Sequence, residues 1–329
     1  YSGYVADTKF SHERGFYTTP FSVTIATETK GAVIYYTLDG TEPYDTTGNR
    51  RSSTALVCTG PVPINTTTTL RAIAVKPGFK PTNIDTQTYI FLEDVIHQPV
   101  RPAGFSTNWG HAGSGDYEMD PQVVNNAHYR NTIKDDLMSV PTFSLVMDVD
   151  DWFGSKGIYI NKSQDGTERV ASFEYIDPNS GDKFQNNCAI AMQGGVSGGG
   201  TSLNRWKTDK LSMRPRFKTH LDDGTPTGGP PQVKYQFFSD SHTDRFDTIV
   251  FDAVLNHSWL HPSSGQRNTA KYIQDQYVAD LHNAMGGHSP NGSYAHLYIN
   301  KLYWGMYYIH ERPDDSWAAE TFGGDKEEY

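Results

Sequence analysis

"LYINKLYWGMYYIHERPDDSW", residues 297–317, decides how the second half of this chain folds. Apolar residues recur in rough alternation on both sides of Asn300-Lys301, the pattern of two half-buried strands. The dipeptide between them reads as a two-residue hairpin turn. Tyr298, Tyr303, Trp304, Tyr307 and Tyr308 then alternate between faces and pack across the strands. Gly305 leaves room for a neighbouring backbone or ring. Beyond Ile309 the chain turns charged, at Glu311-Arg312-Pro313-Asp314-Asp315. Proline followed by aspartates is an ordinary helix start. A charged strand exit is equally a place for the edge of a cleft.

Working back from the hairpin, "TAKYIQDQYVADLHNAM" (269–285) is the one convincing helix. Tyr272, Ile273, Gln276, Tyr277, Asp280, Leu281 and Ala284 recur at helical spacing, so a mostly apolar stripe is predicted to face a sheet. Gly286-Gly287 supplies a left-handed stop. Upstream, "TIKDDLMSV" predicts a short helix and "PTFSLVMDV" a strand. "DDWFG" predicts a turn or single helical turn, with Asp150 or Asp151 as N-cap. "GIYIN", "ASFEYI", "CAIAMQGG" and "FDTIVFDAV" predict further strands. Residues 93–130 are rich in Pro, Gly, Asn and His without period, and read as a connector packed along a surface.

Residues 15–92 show no helical period. "FSVTIAT", "AVIYYTL", "TTTLRAIAV" and "TQTYIFL" are short strand patterns separated by Asp39-Gly40, Lys76-Pro77-Gly78 and Lys80-Pro81. That spacing suggests a small β-sandwich. Three regions follow: 1–92, a linker over 93–130, and 131–329.

A net charge of −10 argues against nonspecific nucleic-acid binding. With 13% aromatic and 20% charged residues, the chain can bury a ring-rich core. Cys58 and Cys188 are too few for a disulfide framework and read as two buried thiols in different domains. No stretch has the roughly 18 apolar residues of a membrane helix. N-x-S/T sequons stand at Asn65, Asn161, Asn256 and Asn291. "MDVDDWFG" lacks the calcium-loop spacing, "GGVSGGG" is followed by no Gly-Lys-Ser/Thr, and no H-E-x-x-H or G-x-S-x-G occurs. No metal site is expected.

"VIYYTLDGTEP" and "GPVPINTTTTLRAIAVKPGFKPT" resemble the chitobiase/β-hexosaminidase C-terminal-like domain over about residues 15–92. The shared positions are Tyr36, Thr37, Asp39, Gly40, Pro43, Gly60, Pro61, Ile64, Lys76 and Gly78. The resemblance implies an immunoglobulin-like sandwich, an accessory module of secreted or surface proteins. Asp39-Gly40 is itself explained as a tight turn.

"PTFSLVMDVDDWFGSKGIYIN", "DRFDTIVFDAVLNHSW", "YIQDQYVADLHNAMG" and the closing segment from His296 to Tyr329 look like the spore-coat CotH kinase family, over about residues 131–329. The fold class this implies is mainly β with a few helices: an immunoglobulin-like sandwich followed by a β-rich kinase-like first lobe carrying one main helix. A helical second lobe would supply metal-binding acids, and the chain reaches "GGDKEEY" about where it would cross over. The expectation is an atypical protein kinase, secreted or at the cell surface, that is inactive as this chain. ATP with Mg or another divalent cation is the implied cofactor, and protein or surface polymers are the implied partners.

By the same resemblance, Lys210 in "GGGTSLNRWKTDKLSMRPRF" takes the family's lysine position and Arg205 its preceding arginine, with Lys207 as fallback. Here Asp209 replaces one usual lysine, and Leu211-Ser212 replaces Ser-Phe. The helix has Gln274-Asp275 where the family often has Arg followed by Asn or Asp, and Asp275 could pair with Lys210. Glu311 matches the family's acid after the Tyr-Trp-Gly strand. The plain alternatives are a solvated edge lysine and an exposed helix carboxylate. The rival reading of the whole chain is an extracellular structural, adhesive or glycan-binding protein, since abundant Tyr and Trp suit a binding surface.

Overall fold

The computed structural model describes residues 1–109, 114–161, 166–194, 209–254 and 257–329. The first module is the expected sandwich. One sheet runs in the order Gly15–Phe16, Asp85–Ile90, Thr68–Val75, Val33–Thr37, Leu56–Val57. Against it lie two short pairs, Phe21–Val23 with Val62–Ile64 and Lys9–Phe10 with Ile25–Ala26. Val23, Ile25, Val62, Ile64, Leu70, Ala72 and Tyr89 fill the space between.

The second unit is a closed seven-stranded barrel. Its order is Thr142–Val146, Arg169–Ile176, Lys183–Met192, Met213–Arg216, Ile249–Asp252, Leu302–Glu311, Gly292–Ile299. All neighbours are antiparallel except Thr142–Val146 and Gly292–Ile299, which close the ring in parallel. Period-two alternation sends Phe143, Leu145, Phe173, Ile190, Phe251, Leu297, Tyr307 and Ile309 inward. Asn300 and Lys301 take φ of 45° and 71°, as a tight two-residue hairpin turn requires. The Asn300 side chain reaches back to the first barrel strand: Nδ2 donates to Met147 O at 2.6 Å and Oδ1 accepts from Met147 N at 3.1 Å.

Alternation also sends Ser144, Ser172 and Glu174 outward, yet all three are fully buried. The first module covers them. Its strand Asp85–Ile90 is buried on both sides, with Tyr89 in the sandwich and Thr86 and Thr88 against the barrel. Thr86 Oγ1 lies 2.6 Å from Ser172 Oγ, and Thr88 Oγ1 2.9 Å from Ser144 Oγ. The Glu174 carboxylate accepts from Thr88 N (2.9 Å), from Thr88 Oγ1 and from Arg14 Nε (3.1 Å). A second contact sits at the other end. Gly40 has φ +87°, and a Cβ there would lie 2.6 Å from Asn300 Nδ2. The Asp39-Gly40 turn therefore docks on the barrel hairpin, and buried Arg71 holds it by donating to Gly40 O at 2.8 Å.

Several local expectations change. "GIYIN" is a turn rather than a strand: Asn161 Nδ2 donates to Gly154 O (3.1 Å) and Gly157 O (2.9 Å) and bends the chain while Ile158 and Tyr159 enter the core. The helical turn Val149–Phe153 is capped by Asp148, not Asp150 or Asp151. The connector carries Trp109 and Tyr117 into the barrel core cluster. The helix expected over 269–285 forms over Gln274–Ala284, and a separate short helix, Ser264–Thr269, precedes it. Its facing is shifted: of the expected stripe Tyr272 and Gln276 turn inward, together with Asn283, while Ile273, Tyr277 and Leu281 are exposed, with Val278 beside them. Inward, Gln276 accepts from the strand residue Tyr308, a bond that leucine cannot make, and Tyr272 donates to Met306 O. Cys188 is a buried free thiol and Cys58 a half-buried one.

All six tryptophans lie at or beyond Trp109, so their fluorescence reports on the barrel unit. Arg14→Ala removes the cation beside buried Glu174, and breaking such a pair costs about 3–5 kcal/mol. In urea, one transition is expected, with the tryptophan midpoint lowered by this change in the other module. An unmoved midpoint would mean that the two modules unfold independently.

Candidate functional site

Lys210 enters the barrel wall just before Met213–Arg216. Its Nζ donates to Tyr272 Oη (2.9 Å) and to Met306 O, and lies 4.3 Å from the centre of the Tyr307 ring. Tyr272 Oη in turn donates to Met306 O at 2.7 Å. Gly305 makes this possible. At φ +120°, a Cβ there would sit 3.3 Å from Lys210 Nζ, so the room left by the glycine is filled by the lysine. Tyr159 fixes the approach: its hydroxyl donates to Asp209 O (2.8 Å) and accepts from Leu211 N (3.2 Å) and Trp304 Nε1 (3.0 Å). A cavity of about 410 Å³ opens beside the lysine, lined by Trp109, Tyr159, Trp304, Asp116, Glu118 and Asp209.

Desolvation lowers the Lys210 pKa to about 7, opposed by the charge of Asp252. Asp252 is the acid that sequence reasoning missed. Its Oδ1 accepts from Ser212 Oγ (2.9 Å) and Val254 N (2.7 Å), and Ser212 Oγ accepts from Ala253 N (2.9 Å). The clasp holds Val254 at φ +55°, an unusual conformation for a β-branched residue. Strain of this kind costs about 1–3 kcal/mol and persists only where surroundings enforce it. The signal available in the sequence was an aspartate ending an apolar strand, ready to bind the backbone two residues on.

The other predicted residues do not gather at Lys210. Asp275 is about half exposed and faces His257 Nε2 at 3.9 Å, while the hydroxyl that meets Lys210 is Tyr272. Glu311 is buried and accepts from Asn291 N (2.8 Å), Asn291 Nδ2 (3.1 Å), Trp317 Nε1 (3.0 Å) and Ser241 Oγ. Five residues separate it from Met306, roughly 16 Å along a strand. It ties the strand exit to the helix Asp315–Phe322, whose N-cap is Asp314. A separate cavity of about 520 Å³ adjoins it, lined by His242, Asp280, His288 and Glu320. Arg205 and the fallback Lys207 lie outside the described residues, as does most of the glycine loop. Among the described residues, no group of three His, Cys, Asp or Glu side chains is placed to hold a metal ion. Of the sequons, Asn65 is exposed, Asn161 and Asn291 have committed amides, and Asn256 lies outside the described residues.

A lysine whose folded pKa lies below its unfolded value makes stability rise with pH between the two. From about pH 7 to 10.5 the unfolded chain binds a proton that the folded chain releases. Subtracting the unfolding free energy of Lys210→Met from that of the native protein is expected to give a difference that climbs across this window and is flat below pH 6. A flat difference throughout would mean that the amine is not desolvated.

Comparison with known families places these two units. Residues 12–86 match the family model of the chitobiase/beta-hexosaminidase C-terminal domain. No match to any curated protein was found. Residues 254–329, from the strained valine through the closing hairpin and the helix after it, match the family model of the CotH kinase protein, so the chain carries a CotH-like segment behind a chitobiase C-terminal-like module.

Proposed function

We propose that this protein is a secreted or cell-surface CotH-like protein that binds ATP through Lys210, and that the 329-residue chain does not by itself complete phosphoryl transfer. The observation that carries the reading is the Lys210 cradle. One amine sits against a hydroxyl, a carbonyl and a ring face, beside a cavity large enough for a nucleoside. A phosphate oxygen is the partner that returns such an amine to its charged form. ATP, when bound, supplies the transferable phosphoryl group.

Phosphoryl transfer needs a cation at the phosphates, carboxylates for metal and a group orienting the acceptor hydroxyl. Lys210 fits the first role, Asp252 influences its charge, and Tyr272 positions it. For the second role the described residues offer no three-ligand set, so no step is assigned to a metal here. Glu311 is committed to four donors and Asp275 to the helix surface, which supports binding without turnover.

Calorimetric titration with Mg-ATP tests this. Saturable heat is expected, weakened at least about tenfold by Lys210→Met, the size of one lost charge-assisted contact. Because the buried Lys210 amine titrates near pH 7, binding should take up a proton above that pH, and affinity should fall by up to about tenfold per pH unit. No heat at millimolar ATP sinks the nucleotide reading, and phosphate transfer by the pure chain sinks the inactivity. The first outcome favours the adhesive or glycan-binding alternative. A cleft of about 650 Å³ between the modules, with exposed Tyr1 and Tyr4 beside Asn83 and Asn187, supports that alternative.

A further inference from the structure

The helix Gln274–Ala284 lies on the barrel with its polar side inward. Tyr308 Oη donates to Gln276 Oε1 at 2.9 Å, and Tyr294 Oη to Tyr272 O at 3.3 Å. Its large apolar residues face away: Tyr277 is 65% exposed, Val278 56%, Leu281 49% and Met285 78%. Single exposed apolar residues are ordinary, but a contiguous stripe over about two helical turns marks a contact surface.

We infer that this outward face is a docking surface for a basic amphipathic helix of a partner protein. Charge selects the occupant. By helical geometry Asp275 and Asp280 flank the stripe on opposite sides. Asp280 also shares a cavity wall with Asp240 and Glu320. A second copy laid antiparallel about the middle of the stripe would set Asp280 against its own copy, and the chain as a whole carries −10. Anionic lipid is repelled for the same reason. Lysines or arginines beside a leucine ridge meet both the apolar stripe and its acidic borders. The docking surface does not depend on what Lys210 binds. It does reach the lysine, because Tyr272, just before the same helix, holds Nζ, so an occupant outside steadies the cradle inside.

The test is fluorescence anisotropy of the full chain with a labelled synthetic helix carrying leucines at i, i+4, i+7 and i+11 between lysine flanks, alongside its glutamate-flanked counterpart. The lysine peptide is expected to bind saturably and the glutamate peptide at least about tenfold more weakly. Tyr277→Ser with Leu281→Ser should weaken the lysine peptide at least about tenfold, as loss of central anchors does. Both positions are exposed, so the tryptophan unfolding midpoint should stay unchanged. Asp275→Asn with Asp280→Asn should flatten the salt dependence of binding. The inference is overturned if the lysine peptide fails to saturate, or binds the serine variant or the glutamate design equally. A wild-type dimer in sedimentation that the serine variant abolishes would overturn it in favour of a second copy. Binding to phosphatidylserine vesicles that needs Tyr277 and Leu281 would overturn it in favour of lipid.

Discussion

The carboxylate of Glu174 sits between two modules, fully shielded from solvent. An ion so placed costs several kcal/mol unless its oxygens are fully answered. Here a backbone amide, a hydroxyl and a guanidinium from the first module answer it. Ser144 and Ser172 on neighbouring barrel strands are likewise met by Thr88 and Thr86. The sandwich thus completes the outer wall of the barrel. The Gly40 turn against Asn300 adds a second, steric constraint, because only a residue without a side chain fits there at positive φ. With contacts at two places, the relative orientation of the modules is determined.

The same economy governs the lysine. The closing hairpin puts Tyr307 inward and leaves Gly305 bare, and Lys210 occupies the space between. The hairpin is therefore both wall and cradle. Its far end, around Glu311, is a separate construction that anchors the terminal helix. Glu311 and the Met306 carbonyl that meets Lys210 stand well apart on one strand, because a strand extends about 3.3 Å per residue.

Much was legible in advance. The alternation around Asn300-Lys301 specified the hairpin, and the glycine in it signalled a close neighbour. The strand patterns of 15–92 specified a sandwich, and Gly286 ended its helix at φ +87° as read. Lys210 was singled out only through family resemblance. Asp252 was passed over because one aspartate at a strand end carries no distinctive local pattern.

The sequence by itself determined most of the strands, where the tight turns fall and that rings would fill the core, since these follow from side-chain period and backbone preference. Tertiary structure alone decided which outward faces become buried. Ser144, Ser172 and Glu174 read as solvent positions until another module covers them. The apolar stripe of Gln274–Ala284 reads as core until the inner side is taken by Gln276, which accepts from Tyr308. Periodicity says that a helix has two faces. Which of them meets the barrel depends on what the barrel presents, and a tyrosine-lined wall pairs with polar side chains rather than leucine.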